Sequence, residues 1–142
     1  MNDSKVLVDS TWADQRHNRT KVLIEARKIV ENGWCKFAGA KDYNCEVVSV
    51  ESKNARTYCV LGALDRACAS VYKNYDAQLI SYLTNNFMEY FGKANDIENV
   101  ISWNDDWDRD VKDVLTAFDA AIHKSRWDQT CHKNTKIASI FV

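Results

Sequence analysis

Apolar residues recur at three- and four-residue intervals along several stretches of this chain, the spacing that places them on one face of an α-helix. The first stretch begins near Thr20, and Gly33 suits the left-handed position that ends a helix. A second helix is predicted from around Thr57, whose hydroxyl can cap it. A third is predicted to follow Asp76 as its cap and to stop at Gly92.

The last long helix is predicted from about Asp108 to Lys124. Its start is rich in aspartate and its end in cations, which suits the helix dipole at both ends. A short helical turn is predicted before it, from Asp96 to Ser102. The apolar residues of the long helix fit one face: Val111, Val114, Leu115, Phe118 and Ile122.

The remaining segments show no helical period. Cys45–Val50 contains β-branched valines, which favour a short strand, so we expect a small hairpin within residues 34–57. The tail after Lys124 is polar until the apolar ending Ile137–Val142. We expect that ending to dock as an edge strand beside residues 46–50 or to form an interface.

These elements predict one mainly α domain over residues 1–142, a compact bundle of about four helices with a small β-hairpin or short sheet. The length of 142 residues fits a single domain. A chain of this size buries enough surface to fold without disulfides or a metal. Residues 1–17 show no clean period and are interpreted as a mobile arm, with residues 5–8 as an alternative short strand, and residues 125–142 as a tail on the core or at an interface.

The charge balance narrows the class of protein. Nineteen Lys and Arg against 20 Asp and Glu give a net charge of -1, which argues against general nucleic-acid binding because such proteins carry a clear basic excess. No apolar run reaches the roughly 18 residues of a membrane span, and the N-terminus lacks the layout of a signal peptide. We therefore expect a cytoplasmic protein whose five cysteines are free thiols.

The densest local chemistry lies in residues 103–110, which hold two tryptophans and four aspartates. Aspartates at alternate positions imitate the start of a calcium loop, but Val111 and Ala117 replace the glycine and glutamate that such a loop needs. The simpler interpretation is a helix N-terminus with a polar cap and tryptophans packed on the core. A third is a recognition site, in which the indoles stack and Asn104 and Asp105 hydrogen-bond a ligand.

Cys35 and Cys59 are the candidate nucleophiles. Cys59 lies at or near a helix N-terminus, where the dipole stabilises a thiolate. Both cysteines are flanked by apolar residues, as buried inert thiols commonly are, and neither has a histidine base in a local pattern. The chain contains only three histidines: His17, His123 and His132.

Metal and phosphate motifs are weak or missing. Cys131, His132 and His123 could supply three zinc ligands, but a fourth ligand and a Cys-x-x-Cys spacing are absent. The chain has no Walker-type loop, no GxGxxG, no HExxH and no GxSxG. The sequence therefore implies no cofactor and no metal.

Four ordered segments carry a family resemblance. They are a Gly-Trp within Glu31–Cys35, Cys-x-Leu-Gly-Ala-Leu within Tyr58–Leu64, Trp-Asn-Asp within Ile101–Asp105, and Val-Leu-x-x-x-Asp-x-Ala-Ile within Asp113–Ile122. Together they resemble a family of small bacterial and phage proteins known only as a domain of unknown function. The similarity spans about residues 20–124. It implies a shared fold and surface, without an activity.

The resembling motifs lie at predicted element boundaries, and such ends converge on one rim in a compact bundle. We therefore predict a non-catalytic binding protein whose aromatic and acidic rim holds a host protein or a small nucleotide-like ligand. A phage or prophage accessory role in the host cytoplasm, such as inhibiting a host defence component, fits the small size. The candidate ligand-binding residues are Trp34, Cys35, Tyr58, Cys59, Trp103, Asn104 and Asp105.

Two other functions stay open on sequence grounds. One is a small enzyme that uses a cysteine as nucleophile or Asp105 as base in the same rim. The other is a structural or homo-oligomeric module assembled through the C-terminal tail. A purely structural role, in which Trp34 and Trp103 fasten the hairpin onto the helices, is the alternative to any binding site.

Overall fold

A computed structural model describes the backbone of residues 18–141 and the side chains of residues 18–129. The predicted arm over residues 1–17 lies outside the described residues. The described part is mainly helical with one small two-stranded antiparallel sheet, as predicted. Its elements are α1 (Arg19–Asn32), β1 (Ala40–Lys41), β2 (Thr57–Tyr58), α2 (Val60–Val71), α3 (Ala77–Ala94), α4 (Val100–Asn104) and α5 (Val111–Phe141).

The core lies between four long helices. Helix α1 packs on α2 and α5, α2 packs on α3, and α3 also packs on α5. The predicted stripes supply the buried residues, and the rings of Phe91 and Phe118 meet edge to face with centroids 4.9 Å apart. The largest fully buried side chains are Phe87, Phe91, Phe118, Leu23, Leu64 and Leu83.

Two helix ends match the predicted chemistry. The Asp76 side chain accepts a hydrogen bond from the Leu79 amide at 2.8 Å and caps α3. At the start of α5 each of Asp110 and Asp113 accepts the other's backbone N–H, at 3.0 and 3.1 Å. This reciprocal pair has the logic of a capping box, and it starts the helix at Val111 rather than at Asp108.

Other predicted helix ends were wrong in position or conformation. Helix α1 ends at Gly33 as predicted, but the φ of Gly33 is 170°, which is extended rather than left-handed. This glycine is needed because a Cβ would lie 2.5 Å from the Arg56 carbonyl oxygen. Helix α3 continues past Gly92 to Ala94. The predicted turn at 96–102 forms later, as α4 over Val100–Asn104, with Asn99 accepting the Ser102 amide.

Thr57 belongs to a strand and does not cap α2. It pairs with Lys41, and Tyr58 pairs with Ala40. The cap is Cys59, whose sulfur accepts the Gly62 amide at 3.3 Å.

The predicted strand over Cys45–Val50 is reduced to one isolated bridge between Val47 and Lys41. Val47 remains 69% exposed, so a longer strand there would not be stabilised by packing of its valines against the core. Its valines gave a β signal that the tertiary structure does not use.

The C-terminal tail is not the predicted edge strand. Helix α5 does not end at Lys124 but continues to Phe141. The chain has no proline, and none of its four glycines lies beyond Gly92, so no strong helix breaker interrupts this stretch. None of the helices in the described range is long and apolar enough to cross a membrane.

Candidate functional site

Asn104, the last residue of α4, joins three separate segments of the chain through its side chain. Its Oδ1 accepts the Trp34 indole N–H at 2.8 Å and the Val60 amide at 3.1 Å. Its Nδ2 donates to the Cys35 carbonyl at 3.2 Å and to Asp105 Oδ1 at 2.9 Å. We call Asn104 and these partners the clasp.

The clasp leaves no hydrogen-bonding position of the Asn104 amide free, since such a group offers two donors and two acceptor sites. The residue is 1% exposed. By accepting the Val60 amide, it also satisfies one of the otherwise orphan N–H groups in the first turn of α2. Asn104 therefore holds the segments around the site in place, and its own amide is not free to bind a ligand.

Asp105 carries the connection outward to the loop before β1. Its Oδ1 accepts the Phe37 amide at 2.9 Å as well as the Asn104 donor. Phe37 has a φ of 68°, a left-handed conformation that costs a non-glycine residue about 1–2 kcal/mol. Its side chain is nevertheless 73% exposed, so the strained residue presents its ring to solvent.

A cleft of about 180 Å³ opens beside Phe37. Ile101, 51% exposed, lies at its edge. We call this the anchor cleft, and its walls include Phe37, Gly39, Leu61, Val100, Ile101 and Asp105.

Three of the predicted site residues also line the anchor cleft: Cys59, Asn104 and Asp105. Trp34, Cys35 and Tyr58 are brought close to them without lining it. Trp34 and Tyr58 form a parallel β-bridge, and the Cys35 amide donates to the Tyr58 carbonyl at 3.2 Å.

Trp103 belongs to a different environment. Its ring packs edge-on against Phe91, with centroids 6.0 Å apart. The Arg109 guanidinium lies 4.2 Å from the Trp103 ring centroid, and Arg109 Nε donates to the Trp103 carbonyl at 2.9 Å. The indole face is thus occupied by a cation–π contact, and it is not a wall of the anchor cleft.

Three exposed apolar residues here are not among the candidate site residues selected from the sequence, although the recognition-site interpretation of residues 103–110 included the Trp107 indole. Phe37, Ile101 and Trp107, which we call the apolar rim, are 73%, 51% and 91% exposed. Trp107 is tied to the same loop because Lys36 Nζ donates to its carbonyl at 3.2 Å and to that of Asp106 at 2.6 Å. Phe37 sits in a segment with no periodicity, and only its position after the Gly-Trp motif could have drawn attention to it.

The cysteines of the site are poor nucleophiles. Burial raises the pKa of the Cys35 thiol and of the Cys59 thiol, whereas a reactive thiolate needs a lowered pKa. His123 is exposed on α5. The His17 residue and the His132 side chain lie outside the described residues.

Metal ligation finds no support within residues 18–129, where no cluster of three His, Cys, Asp or Glu could hold an ion. Two of the three aspartates that imitate a calcium loop accept hydrogen bonds from backbone amides instead. Asp106 accepts the Asp108 amide at 3.1 Å, and Asp110 caps α5. The Cys131 and His132 side chains of the weak zinc pattern lie outside that range.

Comparison with known proteins gives a family without an assigned activity. Neither the curated proteins nor the solved structures compared with the chain gave a match. The model of a family of unknown function, DUF6197, matches residues 14–124, close to the predicted span of 20–124. The chain therefore belongs to the DUF6197 family.

Proposed function

We propose that this chain is a non-catalytic binding protein that docks a partner protein on the apolar rim, with one apolar side chain of the partner in the anchor cleft. Phe37 carries this proposal. Strained backbone persists where surrounding contacts impose it, and such residues cluster at functional sites. The bond from its amide to Asp105 fixes the strained φ while the ring stays in solvent.

The size of the anchor cleft favours a side chain over a nucleotide-like molecule. Small-molecule sites usually enclose about 300–1,000 Å³, and this cleft has about 180 Å³. A single apolar side chain of a partner suits that space, and such buried anchors commonly dominate the energy of a protein interface.

Charge also distinguishes the two ligands. Asp105 is the ionisable carboxylate in the wall of the cleft, and Asp106 and Asp108 are exposed close by. Of the cations nearby, Lys36 already donates to two carbonyls, and Arg109 lies 4.0 Å from Asp106 and packs on the Trp103 ring. Phosphate would be repelled here, whereas basic residues flanking an apolar anchor would be attracted, which adds specificity and association rate.

The broader roles suggested by the sequence stay predictions. These are the phage accessory role, host-defence inhibition and assembly through the C-terminal tail. The enzyme alternative gains nothing from the thiols, because their raised pKa keeps them protonated at neutral pH.

The experiment compares capture by immobilised wild-type protein and by a Phe37→Ser/Ile101→Ser double variant. Proteins retained from a lysate of the source cells are quantified by mass spectrometry. We expect one protein whose retention falls by about tenfold or more in the variant, since loss of two anchor residues costs at least about 1.4 kcal/mol of binding.

The matched control is Tyr43→Ser, which removes an 87% exposed aromatic residue outside the rim. It should retain the partner fully. Retention that ignores the rim variant, or falls equally with Tyr43→Ser, contradicts the proposal. A nucleotide panel titrated in parallel covers the alternative, since saturable nucleotide binding that depends on Phe37 would replace the protein partner.

A further inference from the structure

A second cleft, of about 360 Å³, lies between α2 and α3 and shares no wall residue with the anchor cleft. Its volume falls within the range of about 300–1,000 Å³ that is typical of small-molecule sites. We call it the tyrosine cleft, and its walls include Glu51, Asp65, Tyr72, Lys73, Tyr75 and Ile80.

Asp65 is a partly buried carboxylate with few partners in this cleft. The Thr84 hydroxyl lies 3.3 Å from Asp65 Oδ1 but 2.9 Å from the Ile80 carbonyl oxygen, so its single hydrogen serves the carbonyl better. No salt bridge of Asp65 is found among residues 18–129. A carboxylate accepts about four hydrogen bonds, so a ligand in the cleft can donate to Asp65 without displacing a protein partner.

The surrounding charges make the same cleft favour a cation. Burial and the Glu51 carboxylate both raise the pKa of Asp65, because each disfavours its charged form. Lys73 is the basic residue in the wall, against two acidic ones. A bound cation would relieve the repulsion between the carboxylates of Asp65 and Glu51 and could donate hydrogen bonds to Asp65.

Aromatic and aliphatic side chains in the walls provide an apolar surface for the hydrocarbon part of a ligand. The rings of Tyr72 and Tyr75 stack with centroids 5.3 Å apart and an angle of 21° between their planes. Tyr72 is 5% exposed, while Tyr75 and Ile80 are partly exposed at the cleft. An aromatic face beside a carboxylate is the arrangement that recognises an ammonium group through hydrogen bonds and cation–π attraction.

We propose that the tyrosine cleft binds a small organic amine in its protonated form. The ammonium group hydrogen-bonds Asp65 under the field of Glu51, and the carbon body lies against Tyr75 and Ile80. The cleft is lined by described residues of the folded bundle, so binding requires no additional segment.

The test titrates the full chain, labelled with ¹⁵N, with benzylamine and with neutral benzyl alcohol. We expect saturable shifts with benzylamine at the backbone amides around Asp65, Tyr75 and Ile80. Benzyl alcohol should bind about tenfold more weakly because it cannot form the charge-assisted hydrogen bond. Absence of saturable shifts there, or equal affinity for the alcohol, overturns the proposal.

Charge variants separate recognition from general apolar binding. Asp65→Asn should weaken benzylamine binding by about tenfold or more, and Glu51→Gln, at an exposed position, by a smaller factor. Lys73→Gln should tighten it, because the substitution removes the opposing charge. A Glu51→Gln variant that folds normally and binds as tightly as wild type, or a Lys73→Gln variant that binds more weakly, contradicts the proposal even if Asp65→Asn fails to fold.

Discussion

Trp34 and Trp107 lie where α4 meets the loop before β1, yet the structure uses them in opposite ways. Trp34 is half-buried and donates its indole N–H to Asn104. Trp107 is 91% exposed, and its contact to the loop runs through its backbone carbonyl. One indole belongs to the clasp and the other to the apolar rim.

The comparison shows that residue type alone does not identify a binding surface. In the clasp, the Asn104 side chain is buried and all its hydrogen-bonding positions are used, so the clasp contributes to stability. On the rim, apolar area is left in water, which slightly lowers the stability of the fold. This area contributes favourable free energy only when a partner covers it. We therefore expect substitutions in the clasp to lower the free energy of unfolding and substitutions on the rim to leave it nearly unchanged.

The largest effect is expected from Asn104→Ala. It leaves the Trp34 indole and Val60 amide donors without their partner, and each buried unsatisfied group costs about 1–3 kcal/mol. We expect a loss of about 3 kcal/mol in the free energy of unfolding, measured by urea denaturation. Asn99→Ala, which removes only the cap of α4, is the control and should cost about 1 kcal/mol. An equal loss in both variants would break the distinction between clasp and ordinary cap.

Phe37→Gly should move stability and binding in opposite directions. Glycine accepts the φ of 68° without strain, so we expect a gain of about 1 kcal/mol in unfolding free energy together with loss of partner capture. Phe37→Ser keeps the strain and should lose capture without that gain. If Phe37→Gly destabilised the protein, the ring would be supporting the fold and the rim would not be a separate surface.

Rim substitutions without a change in strain should scarcely affect stability. Ile101→Ser and Trp107→Ala remove exposed side chains, for which changes stay within about 0.5 kcal/mol. Thermal unfolding of each variant checks this. A loss of several kcal/mol of unfolding free energy in either variant would show that the residue supports the fold and does not belong to a separate surface.

Thiol labelling leaves the hydrogen bonds of the clasp intact and tests whether the thiols beside it are accessible. In a Cys131→Ser background we expect iodoacetamide at pH 8 to modify Cys45, which is exposed, and to spare Cys35 and Cys59. Burial raises the pKa of both spared thiols, so fewer thiolates form at this pH. Peptide mass spectrometry gives the positions. Rapid labelling of Cys59 in the native protein would contradict its burial and indicate that its thiol is reached through the anchor cleft.

Another buried thiol, that of Cys68, determines how the stability of the fold changes at alkaline pH. Burial raises the pKa of Cys68 from 9.0 to about 12, so the folded state binds this proton more tightly than the unfolded chain. Its contribution to stability is complete below about pH 9 and is lost as the pH rises toward about 12. Urea denaturation at pH 8 and pH 10.5 should show lower stability at the higher pH, and Cys68→Ala should reduce the difference.

Much of the fold could be predicted from local signals. The periodic stripes located the long helices, and the carboxylate of Asp76 marked the start of α3 correctly. The errors concentrate at helix ends whose structure depends on a contact with a segment far along the chain. Gly33 is needed because the Arg56 backbone passes close to it, and Cys59 replaces Thr57 as cap because Thr57 pairs with Lys41.

The candidate site was predicted in part for the same reason. Sequence reasoning selected Cys59, Asn104 and Asp105, which line the anchor cleft. It missed Phe37 because exposure and a positive φ leave no periodic signal. It selected Trp103 by residue type, although Arg109 covers that ring.

The sequence by itself determined the helical bundle, since the spacing of apolar residues fixes which face of each helix leaves water. It also placed the chemistry-bearing residues at the element ends. Only the tertiary structure decided which of those residues are saturated and which are presented to solvent. Hydrogen bonds such as Trp34 to Asn104 join residues 70 positions apart, and no local pattern encodes a partner at that distance.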